Sequence, residues 1–439
     1  MADTQTLRRE IGVLPLALIA IGACIGSGIF LTPSDIAQKV PDEGGILLAW
    51  VIGGLVALTG SLTFAELGSR IDANGGVYAY LKTCYGDAVA FLYGWITLTV
   101  ITSGAIAALV LACARYLDYL YPLGPEGIPL AGTVILILLT WINIRGVKAG
   151  ASVASTLTLL KIMGILLIIA AGAWYWLSVG GVEGSHEHSS WGISGLALAL
   201  VGVFWSYGGW HHASYLAGEV IQPSRTVPRA MVIGAIVVTS IYVTANWAYL
   251  QLLGPAGMAG SSAVAADAVG QLVGKGGLLI AILIIISTLG TASIYTLSAP
   301  RVYFSMSRDR SFFPQLAMIH PRFQTPHVAI LLQSGWAIVL LWFWNTFENL
   351  IAYVVFMDVI FMAMAAAGIF ILRRRHTSEP AYTVPLYPLV PLTYIGICIW
   401  FLVTLIISQP EQAWAGLILC GLGVPVFLWF RRTNAISPK

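Results

Sequence analysis

Residues 13–37 read VLPLALIAIGACIGSGIFLTPSDIA. The run carries no charge before Asp35 and is long enough to cross a hydrocarbon core of about 30 Å. Lipid offers no partner to an open backbone, so a run of this kind predicts a membrane-spanning helix. Its middle, Ile25-Gly26-Ser27-Gly28-Ile29-Phe30, works against a continuous helix, because glycine is among the weakest helix formers. A span broken at its own centre exposes N–H and C=O groups inside the membrane. Such groups are costly unless something bonds them.

Outward from this stretch the apolar pattern recurs. Of 439 residues, 58% are hydrophobic and 9% charged, against about a quarter charged in a soluble domain. Twelve apolar runs lie near Val13–Ala37, Gly45–Leu67, Val89–Ala114, Ile128–Ile144, Val153–Leu177, Ile193–Leu216, Ala230–Leu253, Gly277–Ala299, Val328–Phe347, Leu350–Leu372, Leu386–Ile407 and Trp414–Phe430. The expected class is an all-α membrane protein with 12 transmembrane helices. Lys and Arg set the direction. With a cytoplasmic N-terminus, 18 of them fall inside and three, Lys39, Arg115 and Lys275, fall outside. Both termini are then cytoplasmic, and a multi-pass protein of the cell (inner) membrane is expected. The net charge of +3 belongs to the inner face and implies no nucleic acid. The first run is too long for a cleavable signal peptide and lacks its cleavage site. The five cysteines (Cys24, Cys84, Cys113, Cys398 and Cys420) show neither metal spacing nor an extracellular pair, so no disulfide is expected. Larger outer loops are expected at Ser178–Trp191 and Gly254–Gly276. His186-Glu187-His188 in the first of them reads as loop decoration rather than a metal site.

A second span is interrupted in the same way, at Trp205-Ser206-Tyr207-Gly208-Gly209-Trp210. It lies five spans after the first. Five is odd, so the two halves have opposite topology, the pattern of an inverted repeat with a discontinuous first helix in each copy. The whole chain, 1–439, is one transporter domain: a first repeat over 13–177, a second over 193–372 and two accessory helices over 386–430. One glycine motif alone, such as Gly22-x-x-x-Gly26, would read as helix packing. Two breaks in corresponding positions point to a substrate site between them.

The chemistry of that site derives from helix ends. Ser27, Gly28 and Ile29 begin the second half of the first span, and their N–H groups carry partial positive charge. They can hold a carboxylate without a cationic side chain. Carbonyls near Ile21 and Cys24, with others near Phe204, Trp205 and Tyr207, can hold an ammonium. Gly26 and Gly28, and Ser206 and Gly208 at the second break, let backbone approach ligand closely. Such a site reads a zwitterion.

These motifs resemble the amino acid–polyamine–organocation superfamily. Gly26-Ser27-Gly28-Ile29-Phe30 with Thr32-Pro33 is similar to its first helix, and Phe64-Ala65-Glu66-Leu67-Gly68 with Gly75-Gly76-x-Tyr78-x-Tyr80 to its second helix and following loop. Tyr207-Gly208-Gly209-Trp210, Glu219-Val220-x-x-Pro223 and Val227-Pro228-Arg229-Ala230 resemble the L-type amino acid transporter branch. So do Ile241-Tyr242, Asn246-x-Ala248-Tyr249, Ile319-His320-Pro321-Arg322 and Thr325-Pro326. The resemblance implies the LeuT-type fold of five plus five helices with two added, no enzymatic activity, no cofactor, and amino acid transport by alternating access. It implies that Trp205 is the aromatic gate over substrate. The loop Asp118–Pro125 lacks the cysteine through which animal relatives join a heavy chain, so no such partner is expected and a prokaryotic member is implied. Asp72-Ala73-Asn74 and Ala292 depart from the family pattern.

Lys161 is the chemical outlier, a cation in the middle of the fifth span. It can bond carbonyls freed by the first break. The resemblance places it where sodium-coupled relatives hold an ion, which implies sodium-independent transport. The other reading pairs it with a carboxylate such as Asp358. If burial lets Lys161 lose its proton, proton coupling opens as well. Asp358 itself reads either as a pocket residue or as an interfacial one. Glu66 and Glu219 are expected to bond neighbouring cytoplasmic loops. His211 and His212, being adjacent, must face different directions. Thr102 and Ser103 are the pocket candidates on the third span. Tyr242 is expected to reach substrate through water, and Asn246 to make an interhelical hydrogen bond.

The expected function is sodium-independent exchange of neutral L-amino acids, with the amino acid and the lipid bilayer as partners. A proton-coupled permease for cationic amino acids or polyamines is the alternative, with Asp358 the residue that would favour it. A membrane sensor lacks the soluble output domain it would need.

Overall fold

The computed structural model describes residues 7–71, 73–180, 192–272, 276–343, 347–375 and 380–436. Asp72, His186-Glu187-His188 and Lys275 lie outside them. Two short helices, α1 (Val13–Cys24) and α2 (Gly28–Lys39), make up the first span. Next come α3 (Glu43–Arg70) and the shorter α4 (Val77–Tyr85). Helix α5 (Asp87–Ile96) runs through a π-helical turn, Thr97–Ile101, into α6 (Thr102–Leu120). After α7 (Gly124–Ile144) and α8 (Val147–Val179), α9 (Ile193–Tyr207) and α10 (His212–Tyr215) form a second interrupted segment. The remainder is α11 (Pro223–Gly260), α12 (Val264–Gly270), α13 (Gly276–Ser298), α14 (Pro300–Arg308), α15 (His327–Phe343), α16 (Phe347–Arg375), α17 (Leu389–Ser408) and α18 (Pro410–Ile436).

Among the described residues, ten helical stretches are long and apolar enough to cross a membrane, and α9 and α15 are shorter apolar helices. The chain is a multi-pass, all-helical membrane protein. The α5–α6 span is almost wholly enclosed, whereas α7, α8 and α18 present most of their surface outward. Helix α8 shows why. Thr158, Lys161, Ile165, Ile168 and Gly172 recur at three- and four-residue spacing and are buried, while Leu159, Leu160, Met163, Leu166 and Leu167 are exposed. An apolar outer face and a cation on the inner face invert the pattern of a soluble helix. Lipid is the solvent that makes this arrangement stable.

One expected loop is not a loop. The region after Gly254 is largely helical: α11 turns at Gly254, whose φ is 67°, and resumes through Gly260, followed by α12. Pro255 accounts for the restart, since proline suits the first turn of a helix and lacks the N–H that turn cannot use. Helix α12 packs on α13.

Both expected loop carboxylates are buried. Glu66 accepts from Arg70 Nε at 2.8 Å, from Arg373 Nη2 at 2.6 Å and from the Val384 N–H at 2.8 Å. The last of these is the loop contact expected. Glu219 instead forms a two-pronged pair with Arg301, with Nε and Nη2 each within 2.9 Å of a carboxylate oxygen. Both side chains of this pair are 1% exposed. The Glu219 carbonyl also accepts from the Glu10 and Ile11 N–H groups, which ties the N-terminal segment to the end of the second broken span. Removing one partner of a buried pair strands the other, at about 3–5 kcal/mol. Arg301→Ala should therefore lower the unfolding midpoint in detergent sharply, while Lys82→Ala, whose bond to Asp309 is a third exposed on each side, should barely move it.

The Gly75-Gly76 turn leads into α4, where Tyr78 donates to Asp309 at 3.0 Å. Burial, and the Asp309 carboxylate beside it, hold the Tyr78 phenol well above its ordinary pKa, so it stays a donor.

Candidate functional site

Helix α1 ends at Cys24, and Ile25 leaves helical geometry with ψ of 85°. Helix α2 restarts at Gly28, and Ser27 places no side-chain cap on it. Ser27, Gly28 and Ile29 are all buried. The first N–H groups of a helix have no partner within it, so this N-terminus brings uncapped donors into the protein interior. That is an anion site in the making. The α2 side of the break presses on α9: a Cβ on Gly28 would stand 2.8 Å from Ser206 Cα. Thr32 Oγ1 donates to the Gly28 carbonyl at 2.9 Å and lies 3.2 Å from Ser206 Oγ.

The second break answers the first. Helix α9 ends at Tyr207, Gly208 is extended, and Gly209 takes a φ of 118° that favours glycine. A side chain there would meet the Ala23 backbone at 2.7 Å. One hydroxyl joins the two breaks: Tyr242 Oη reaches the Cys24 carbonyl at 2.8 Å and the Ser206 carbonyl at 3.0 Å. Cys24 Sγ faces the Tyr207 carbonyl at 3.4 Å. Tyr207 donates to the Trp50 carbonyl at 3.0 Å, and the rings of Trp50, Tyr207 and Tyr242 stand 5.0–6.0 Å apart. Trp205 Nε1 donates to Ser27 Oγ at 3.3 Å, so the aromatic residue of the second break leans on the first.

The carbonyl end of the first break is held by a cation. Lys161 is fully buried, and its Nζ donates to the Gly22 carbonyl at 2.7 Å, to the Ile25 carbonyl and to Thr291 Oγ1 at 2.9 Å. Its closest partners are thus the carbonyls that the break frees. Two hydroxyls of α13 join it. Ser287 donates to Gly26 at 2.9 Å, and Thr291 Oγ1 lies 2.8 Å from the Gly22 and Ile25 carbonyls. Ammonium and hydroxyls together offset the negative end of the α1 dipole.

Several carbonyls of the expected ammonium cradle already accept one bond. Ile21 accepts from the Ile25 N–H at 2.9 Å and Phe204 from the Gly208 N–H at 2.8 Å. Each carbonyl oxygen has a second lone pair, so the cradle keeps capacity. Beside it is a cavity of about 40 Å³ whose wall includes Ile101, Ala105, Trp205, His211, Tyr295 and Asp358. From the third span this wall takes Ile101 and Ala105; Thr102 and Ser103 are buried outside it. The π-helical turn at Thr97–Ile101 immediately precedes them. Its extra residue rotates the face that α6 turns to the cavity.

Asn246 donates to the Tyr242 carbonyl of its own helix at 2.9 Å, rather than across helices. The two histidines do diverge. His212 Nδ1 lies 2.6 Å from Ser298 Oγ with its ring stacked on Tyr295, and His211 faces the cavity. Ser287 and Thr291 are the site residues that sequence reasoning passed over. Their four-residue spacing on one face of an apolar helix was the available signal.

The chain matches the profile of the family described as Amino acid permease over residues 11–427. It is 33% identical to the Serine/threonine exchanger SteT of Bacillus subtilis, over 99% of both chains. It is 31% identical to human Large neutral amino acids transporter small subunit 2, over 96% of this chain and 80% of the relative. It is also 31% identical to human Asc-type amino acid transporter 1, over 97% of this chain and 83% of the relative.

Proposed function

The chain belongs to the amino acid permease family, and we propose that it exchanges neutral L-amino acids across a membrane by alternating access, without sodium. Exchange is the printed activity of the Bacillus subtilis relative, and neutral amino acids that of the human small subunit. One observation carries the sodium-independent part. Lys161 Nζ occupies the carbonyl end of the first break, bonded to Gly22 and Ile25, where a bound metal cation would otherwise have to balance the helix end. A covalently held ammonium and a dissociable ion cannot share one set of carbonyls.

In this reading α1–α2 through α8 form one repeat and α9–α10 through α16 its inverted copy, the LeuT-type arrangement, with α17 and α18 accessory. Counting α9 and α15 as spans makes twelve, and both termini are cytoplasmic. The substrate carboxylate sits on the Ser27, Gly28 and Ile29 N–H groups. Its ammonium sits on carbonyls near Ile21, Cys24 and Trp205, and Trp205 closes over it. The substrate's charges are thus met by backbone, which suits any neutral amino acid. The chain works without a disulfide-linked heavy chain.

Counterflow in proteoliposomes tests the reading. Labelled amino acid should enter vesicles preloaded with unlabelled amino acid, in potassium or choline buffer, at least about tenfold faster than it enters empty ones. Uptake that ignores the internal amino acid removes exchange. Uptake that requires sodium removes the role given to Lys161.

A further inference from the structure

Asp358 is the twelfth residue of α16, roughly 16 Å along its axis at about 1.5 Å per residue, so it is deep in the span. Its neighbours Val354, Val355 and Val359 are apolar and supply no side-chain donor. Asp358 Oδ1 is closed off from solvent and has no hydrogen-bond partner. It does not pair with Lys161, whose ammonium is committed to carbonyls and Thr291. Two cavities of about 40 Å³ each share Asp358 in their walls, together with Phe204, Gly208 and His211 of the second broken span. A volume of this size takes one small group. A buried carboxylate oxygen with an empty space in front of it is costly to keep. A donor that arrives with the ligand resolves the cost.

Resting on the exchange reading above, we propose that Asp358 selects the substrate's side chain, by accepting a hydrogen bond from a donor one or two bonds beyond Cβ. The substrate class is then short amino acids with a side-chain hydroxyl or amine, in preference to isosteres that present a methyl group. The backbone poles at the two breaks are spent on the α-carboxylate and α-ammonium. Asp358 lies past Phe204 and Gly208 on the α16 side, where the side chain of a ligand so held would project. A site built to bond a polar group rejects the analogue that lacks it, because the buried partner is left unpaired.

Competition against labelled counterflow tests this. Threonine and valine differ by a hydroxyl for a methyl. In the native protein threonine should compete at least about tenfold better than valine. Including 2,3-diaminopropionate separates the two donor sources: the better competitor of the two identifies hydroxyl or amine. In Asp358→Val the threonine-to-valine ratio should collapse to about one, and Asp358→Asn, which keeps one acceptor oxygen, should be intermediate. If the valine variant does not fold, the asparagine variant and the native ratio still decide. Valine competing as well as both donor-bearing ligands in the native protein overturns the proposal. So does an equal loss for all substrates in the variants, which would put Asp358 at the α-ammonium. Failure of every amino acid to drive counterflow is a different result, and removes the exchange reading itself.

Discussion

Lys161→Ala abolishes exchange, with a loss of at least about 100-fold, while the protein still elutes from size exclusion as the native form does. The ammonium is fully buried, and its closest partners are two carbonyls at the end of α1 and the Thr291 hydroxyl. Alanine removes the one positive charge set against the negative end of that half-helix. Ser287 and Thr291 remain as neutral donors and cannot replace it. A stranded acceptor costs about 1–3 kcal/mol, and two stranded acceptors at a moving break cover a factor of about 100. Lys161→Arg fails as well, because a planar guanidinium fork does not fit the space of a compact ammonium. Initial rates of counterflow in proteoliposomes measure the effect. Transport retained by the alanine variant would remove Lys161 from the mechanism.

Gly28→Ala is the second severe change, and Gly26→Ala is its control. Both glycines belong to the same break, two residues apart. A Cβ on Gly28 meets Ser206 Cα at 2.8 Å, which is backbone and cannot step aside. A Cβ on Gly26 meets only side-chain atoms of Leu109 and Thr291, at 3.3–3.4 Å. Overpacking of the first kind costs about 1–3 kcal/mol and pushes the broken helices apart. Gly28→Ala should lose more than about tenfold in exchange rate, and Gly26→Ala distinctly less. Equal losses would mean that glycine is needed at this break for flexibility and not for close approach.

The parts of this architecture that showed in the sequence are those with a chemical signature. Runs of apolar residues, two glycine-rich interruptions and one intramembrane lysine are each improbable by composition, and each located its feature. Lys161 was readable because a lone cation in lipid must have acceptors, and the first break supplied them. Ser287 and Thr291 were not, because Ser and Thr within apolar helices ordinarily bond their own preceding turn and give no sign of reaching further. The π-helical turn has no compositional mark, yet Ile101 and Ala105, not Thr102 and Ser103, stand in the cavity wall beyond it. Asp358 was ambiguous for want of a boundary. A span begun at Leu350 leaves it nearer the surface, whereas α16 begins at Phe347 and carries it inward.

The Tyr242 hydroxyl has one proton and two carbonyls within 3.0 Å, one from each interrupted helix. A single proton cannot fully serve both. Parting the helices there therefore breaks one shared bond and not two, for about 0.5–1.5 kcal/mol. Whichever half moves away, the proton passes wholly to the half that stays. The joint works as a hand-over point: it is weak enough for thermal motion to open many times a second, and it leaves no bare hydroxyl behind when it does.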